Sequence, residues 1–74
     1  MSWQDYIEER ADVMMGKPVF RETRLTVEHV LAELGRGVSE AELLRGHPRL
    51  TADHVRAALL YAAAVIGMEE TIYR

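Results

Sequence analysis

The apolar positions of this chain change their spacing as the chain proceeds. Trp3, Tyr6 and Ile7 fall at i, i+3 and i+4. That spacing predicts a short helical turn with Ser2 as its N-cap and its aromatic face turned inward. Residues 11–16 carry no period and read as a loop, with Met14 and Met15 as gap-fillers beneath it. Pro18 removes a backbone donor and biases Lys17 towards extended geometry, so Val19 and Phe20 read as a short β-like stretch.

Three helix starts follow with one grammar. Thr26, Ser39 and Thr51 are N-cap residues, each preceded by an apolar residue (Leu25, Val38, Leu50) and followed at N4 by another (Val30, Leu43, Val55). This is the hydrophobic staple, and Ser39 with Glu42 adds a capping box. The predicted helices run from Val27 to Leu34, closed by Gly35 and Gly37; from Glu40 to Arg45, closed by Gly46 and Pro48; and from Ala52 to near Glu70. The third carries two apolar stripes. One is Val55, Ala58, Leu59, Ala62 and Ile66; the other is Ala57, Leu60, Tyr61, Ala64 and Met68. A surface helix needs one such stripe. The second must be covered by the N-terminal segment, by a second copy or by a partner.

These elements make an all-α domain: a three-helix core of helix-turn-helix outline, a short N-terminal helical turn and an extended arm with minimal β character. At 74 residues the chain is one domain, with residues 1–25 as segment and arm and 26–74 as the helical core. So small a domain is marginal alone. With no cysteine, no disulfide or thiolate metal site can brace it, and self-association is the remaining source of stability. No signal peptide is visible, and the longest uncharged run, Ala57 to Met68, is shorter than the ~20 residues that span a bilayer. A cytoplasmic protein is expected.

The net charge of −3 is unevenly spread. Asp5, Glu8, Glu9 and Asp12 outweigh Arg10 and make the first 16 residues acidic, whereas residues 17–56 are slightly basic. Eight of the nine basic residues are arginine, which suits bidentate recognition of phosphate or carboxylate.

Catalysis finds little support. Histidines 29, 47 and 54 form no i, i+4 pair and have no cysteine to join them, so no metal site and no cofactor is expected. The hydroxyls are taken up as caps, and Gly35-Arg36-Gly37 is a helix stop rather than a phosphate loop. The helix-turn-helix outline points to DNA instead. Helix three would face base edges with Thr51, Ala52, Asp53 and Arg56, while Lys17, Arg21, Arg24, Arg45 and Arg49 would serve phosphates. For Arg21 and Arg24 an internal role, paired with Glu22, Glu28 or Asp53, stands beside the nucleic-acid role.

Taken in order, Gly16-Lys17-Pro18-Val19, Thr23-Arg24-Leu25, Val27, Gly37-Val38-Ser39, Glu42-Leu43-Leu44, His47-Pro48, Leu50-Thr51 and Ala58-Leu59-Leu60-Tyr61-Ala62 resemble the family known as domain of unknown function 433. Trp3-x-x-Tyr6-Ile7 resembles the start of many members. The resemblance covers nearly the whole chain. It implies a homeodomain-like fold. Many members look like VapB-type antitoxins of prokaryotic type II toxin-antitoxin systems, which bind a toxin with a PIN-like nuclease domain and, as a complex, repress their own promoter. Two positions depart from the pattern: Glu22 and Met15 stand where the family commonly has glycine. Glu22 implies that the turn is relaxed or that the arm makes a different contact.

The expected function is therefore an antitoxin-like binder, not an enzyme, that neutralises a PIN-like toxin and binds operator DNA as a homodimer through Lys17, Arg21, Arg24, Arg45, Arg49, Thr51 and Arg56. Trp3, Tyr6, Leu60, Tyr61, Ala64 and Met68 are the expected partner or dimer interface. The alternative is a self-associating interaction module without DNA binding.

Overall fold

The structure, a computed structural model, describes residues 1–72, with side chains through Met68. Two short strands, β1 (Ile7–Glu9) and β2 (Pro18–Phe20), pair antiparallel in the register Ile7 to Phe20, Glu8 to Val19 and Glu9 to Pro18. Three helices follow: α1 (Val27–Gly35), α2 (Glu40–Gly46) and α3 (Ala52–Ile72). Each helix touches the other two. The fold is mostly helical, with a minimal sheet formed by the arm.

All three predicted helix starts are present, but each cap works differently. Thr26 Oγ1 accepts from the His29 N–H at 3.1 Å. Thr26 is also buried, so its hydroxyl needs that partner. Ser39 Oγ accepts from the Glu42 N–H, and Glu42 Oε1 reaches back to the serine hydroxyl at 3.1 Å. At α3 the box is closed from the other side: Thr51 donates its backbone N–H to His54 Nδ1 at 3.0 Å. His54 thus fills the N3 role usually held by Glu or Gln. Helix α1 stops at Gly37, whose φ of +98° allows Gly37 N–H to reach Leu34 O and Val38 N–H to reach Glu33 O. That pair of bonds is the Schellman motif.

The core is Ile7, Phe20, Val27, Val30, Leu43, Leu50, Val55, Ala57 and Ala58, with the staple residues Leu25 and Val38 packed against it. The apolar face that α3 uses cuts across both predicted stripes. Val55, Ala57 and Ala58 are buried, while Leu59 and Ile66 from one stripe and Leu60, Ala64 and Met68 from the other are exposed. The N-terminal segment reaches α3 at Tyr61, through an edge-on contact of Trp3 with Tyr61 at 4.9 Å. Tyr6 and Phe20 both meet His54 edge-on, at 5.1 and 5.6 Å.

Three local expectations are corrected. The N-terminal turn is a 3₁₀ turn over Trp3–Asp5, and Ser2 makes no side-chain cap bond; Ile7 belongs to β1 instead. Met14 and Met15 fill no gap: they are 45% and 96% exposed in a second 3₁₀ turn, Met14–Gly16, both at positive φ. Finally, the Glu22 turn is not relaxed. Thr23 N–H bonds to Phe20 O at 3.1 Å while Glu22 sits at φ +65°. Such a turn asks for glycine at this position. Both glycine departures therefore keep the left-handed backbone with an L side chain, which is unfavourable by roughly 1–2 kcal/mol per residue.

Glu22→Gly should consequently stabilise the domain. Relief of strain is partly offset by glycine's freer unfolded chain, leaving a net gain of about 0.5–1 kcal/mol and a melting temperature higher by a few degrees. Thermal unfolding followed by circular dichroism reads it; a lower melting temperature would mean that Glu22 makes a contact worth more than the strain.

Candidate nucleic-acid and partner interfaces

The predicted basic residues are divided by the fold into three groups. Arg24 and Arg49, distant in sequence, come together where the arm meets the α2–α3 connection. Together they line an open groove of about 700 Å³ with Thr23, Leu25, His47 and Pro48, and also border a second hollow beside Glu8 and Arg10. Arg49 is held there by a bond from Nη1 to the Glu22 carbonyl at 3.0 Å. Arg24, and Arg45 in the last turn of α2, make no ion pair or side-chain hydrogen bond with any described residue. Exposed guanidinium groups without an internal partner are free to meet an anion.

A second group is committed internally. Arg21 donates Nε and Nη2 to the Gln4 carbonyl at 3.1 and 2.9 Å, and Nη1 to Glu8 Oε1 at 3.0 Å. Its partners are on the N-terminal segment, not the Glu22, Glu28 or Asp53 considered from the sequence. Lys17 and Arg56 form a third group of solvated pairs, Lys17 with Glu28 and Arg56 with Asp53, both at 2.9 Å. Pairs this exposed contribute about 0–1 kcal/mol and exchange readily. Thr51 is exposed at the N-terminus of α3, with its hydroxyl 3.0 Å from His54 Nδ1.

His54 is thereby fixed in one tautomer. Nδ1 accepts the Thr51 N–H, so in the neutral ring the proton resides on Nε2. Burial lowers its pKa, and the nearby Asp53 charge opposes that shift without cancelling it. An unfolded His54 protonates near pH 6.5, before the folded one does. The stability that depends on neutral His54 is fully present above that pH and is lost as pH falls through it towards the lowered folded value. His54→Gln keeps an acceptor for the Thr51 N–H but cannot titrate. Urea unfolding between about pH 7.5 and 5.5 should therefore give a flatter stability profile for His54→Gln than for the natural chain. Parallel profiles would remove His54 from the pH dependence.

The acidic N-terminal segment is partly neutralised. Glu8 is bound to Arg21, and hydrogen bonds from Arg10, at 3.0 and 3.3 Å, hold the exposed Asp12 carboxyl below its usual range. Of the predicted partner interface, Trp3, Tyr6 and Tyr61 pack within the chain. Burial, with the Glu9 charge adding to it, raises the Tyr61 pKa and keeps the phenol neutral. Leu60, Ala64 and Met68 remain open, joined by Leu59, Val65 and Ile66. No helix is long and apolar enough to cross a membrane among the described residues. The carbonyls that hold Arg21 and Arg49 escaped sequence reasoning, since a backbone acceptor leaves no mark in the residue pattern.

The chain matches the family model described as Protein of unknown function (DUF433) over residues 7–62. It is 34% identical over 61 residues to the uncharacterized protein y4eO of Sinorhizobium fredii, an alignment covering 82% of this chain and 28% of that protein. The chain thus spans less than a third of that relative's length. In three dimensions it is similar to the crystal structure of a DUF433 member protein from Anabaena variabilis, with a TM-score of 0.80 and 29% identity over 96% of this chain and 71% of that one. The family match ends at Ala62, which is also where α3 leaves the core: residues 63–66 and Met68 are all exposed.

Proposed function

We propose that this chain, which belongs to the DUF433 family, is an antitoxin-like cytoplasmic protein that acts by binding rather than by catalysis. Its partner would be a nuclease of the PIN-like class, and in complex it would hold operator DNA as a homodimer. The observation that carries this reading is the exposed apolar surface of α3 from Leu59 onward. Leu59, Leu60, Val65, Ile66 and Met68 are 41–73% exposed on one helix that projects beyond its own core. Exposed large apolar side chains concentrated on one helix mark a protein-binding surface. The small residues Ala63 and Ala64 among them let a second helix approach closely.

The DNA part of the proposal rests on Arg24, Arg45 and Arg49, with Thr51 at the start of the recognition helix. Lys17 and Arg56 can add phosphate contacts by exchanging their solvated pairs, whereas Arg21 is withdrawn by its three internal bonds. A dimer joins two weak half-site contacts into usable affinity.

Two measurements test the reading. A nuclease encoded beside this chain should co-purify with it in fixed ratio and lose its activity in the complex. In fluorescence anisotropy with the neighbouring promoter, Arg49→Ala should weaken binding and reduce the salt slope by roughly one. Normal promoter binding by Arg49→Ala would remove the groove from the DNA surface. A flat titration at low salt with strong self-association would instead favour an interaction module without a DNA role.

A further inference from the structure

The α1–α2 junction holds a cluster that the binding reading does not use. His29 and Glu33 stand one turn apart on α1, and His47 caps the C-terminus of α2. Both imidazole Nε2 atoms converge on the same carboxylate oxygen, Glu33 Oε1, at 2.6 Å from His29 and 3.5 Å from His47. The two rings are nearly perpendicular, at 89° with centroids 5.9 Å apart. One ligand atom from each of the three residues lies within 4.8 Å of the others.

We propose that His29, Glu33 and His47 form a binding site for a zinc-class transition-metal ion. Two neutral imidazoles and one carboxylate are a donor set that such ions accept. It carries too few oxygens for calcium or magnesium. Bonds of about 2.0–2.2 Å place tetrahedral ligand atoms roughly 3.3–3.6 Å apart. The His47–Glu33 separation already meets that spacing, and the His29–Glu33 hydrogen bond must open by about an ångström to admit the ion.

The backbone behind the cluster is well held. His29 N–H is bonded to the Thr26 cap, His47 N–H to Leu43 O at 3.1 Å, and Leu50 N–H to His47 O at 2.9 Å. Only side-chain rotation is needed to close the site. The side chains of His29, Glu33 and His47 are 49%, 25% and 28% exposed, so the ion reaches the site directly from solvent. The same exposure leaves a fourth position open to water or to a ligand atom from a bound partner. The ion would tie α1 to the start of the α2–α3 connection, the segment that carries Arg49. This metal site rests on neither the toxin nor the DNA reading.

Isothermal titration of the untagged chain with zinc chloride at neutral pH tests it, with magnesium chloride as the comparison cation. Zinc should bind one to one, and magnesium should give no saturable heat. Glu33→Gln and His47→Gln should each weaken zinc by at least the ~10–100-fold that loss of an outer-shell partner alone produces. Because a metal that binds only the folded state stabilises it by mass action, zinc should raise the melting temperature of the natural chain and not of Glu33→Gln. Should either variant fail to fold, the imidazole ¹⁵N resonances of the natural chain decide: zinc should move those of His29 and His47 and leave His54 in place. Zinc heats unchanged by both substitutions, shifts confined to His54, or no saturable zinc binding at all would overturn the site and leave a hydrogen-bonded cluster.

Discussion

Leu60→Glu combined with Ala64→Lys will leave the fold intact and abolish association through α3. Both positions are exposed in the isolated chain, and surface substitutions of this kind usually change stability by no more than about 0.5 kcal/mol. The new side chains stand at i and i+4 with Glu first, an order that supports the helix by a few tenths of a kcal/mol. Any loss of association is therefore not a loss of helicity. In a homodimer the other helix carries the same two substitutions, so both helices lose the apolar contact of Leu60 and Ala64 at once and must desolvate two charges each, a cost that pairing of unlike charges does not recover. The expected effect is a dissociation constant larger by at least about 100-fold. Sedimentation equilibrium over a wide concentration range measures it. Leu59→Glu with Ala63→Lys, displaced around the helix by one residue, is the comparison. If only that pair dissociates the protein, the face through Leu59 and Ile66 carries the contact. A natural chain that is monomeric throughout would reserve the helix for a different protein.

Phe20→Ala will unfold the domain or leave it close to its midpoint at room temperature. Phe20 is fully buried and among the largest core side chains. It also stands where arm, sheet and helices meet. Its ring faces His54 on α3, its N–H bonds to Leu25 O, and its carbonyl accepts from both the Thr23 N–H and, at 2.7 Å, the Thr23 hydroxyl. A buried Phe→Ala change costs about 3–5 kcal/mol. At 0.05–0.15 kcal/mol per residue, a domain of this size has in total only about 4–11 kcal/mol. Phe20→Leu retains most of the volume and should remain folded with a reduced urea midpoint. Fluorescence of Trp3 is a suitable probe, because Trp3 packs on Tyr61 only when the segment is docked. An alanine variant as stable as the natural chain would show that the arm contributes nothing to the core.

The helix caps, the staples and the extended arm could be read in the residues because each depends on neighbours within four positions. Thr26, Ser39 and Thr51 fall at the starts of helices for reasons of local hydrogen bonding. Strand β1 could not be read that way. Ile7-Glu8-Glu9 continues a helical spacing from Trp3, and becomes a strand only because Pro18–Phe20 returns to pair with it. Likewise, glutamate at position 22 looks like freedom from a glycine turn, whereas the bonds at Phe20 impose the left-handed angle whatever side chain is there.

The candidate sites follow the same division. Arginine content and the turn between two helices marked the arm and the α2–α3 connection as candidates. Where Arg21 and Arg49 are held was decided by Gln4 O and Glu22 O, acceptors that every sequence has at every position. The histidines were set aside because no two of them are four apart. Glu33 supplies the missing i, i+4 partner of His29, and His47 arrives from another helix. Sequence alone determined the number of helices, their starts and the surplus of apolar surface on the last one, since local bonding and hydrophobic period are short-range. Tertiary structure alone decided the strand pairing, the three fates of the basic residues and the place where α3 leaves the core, since each depends on what distant segments bring into contact.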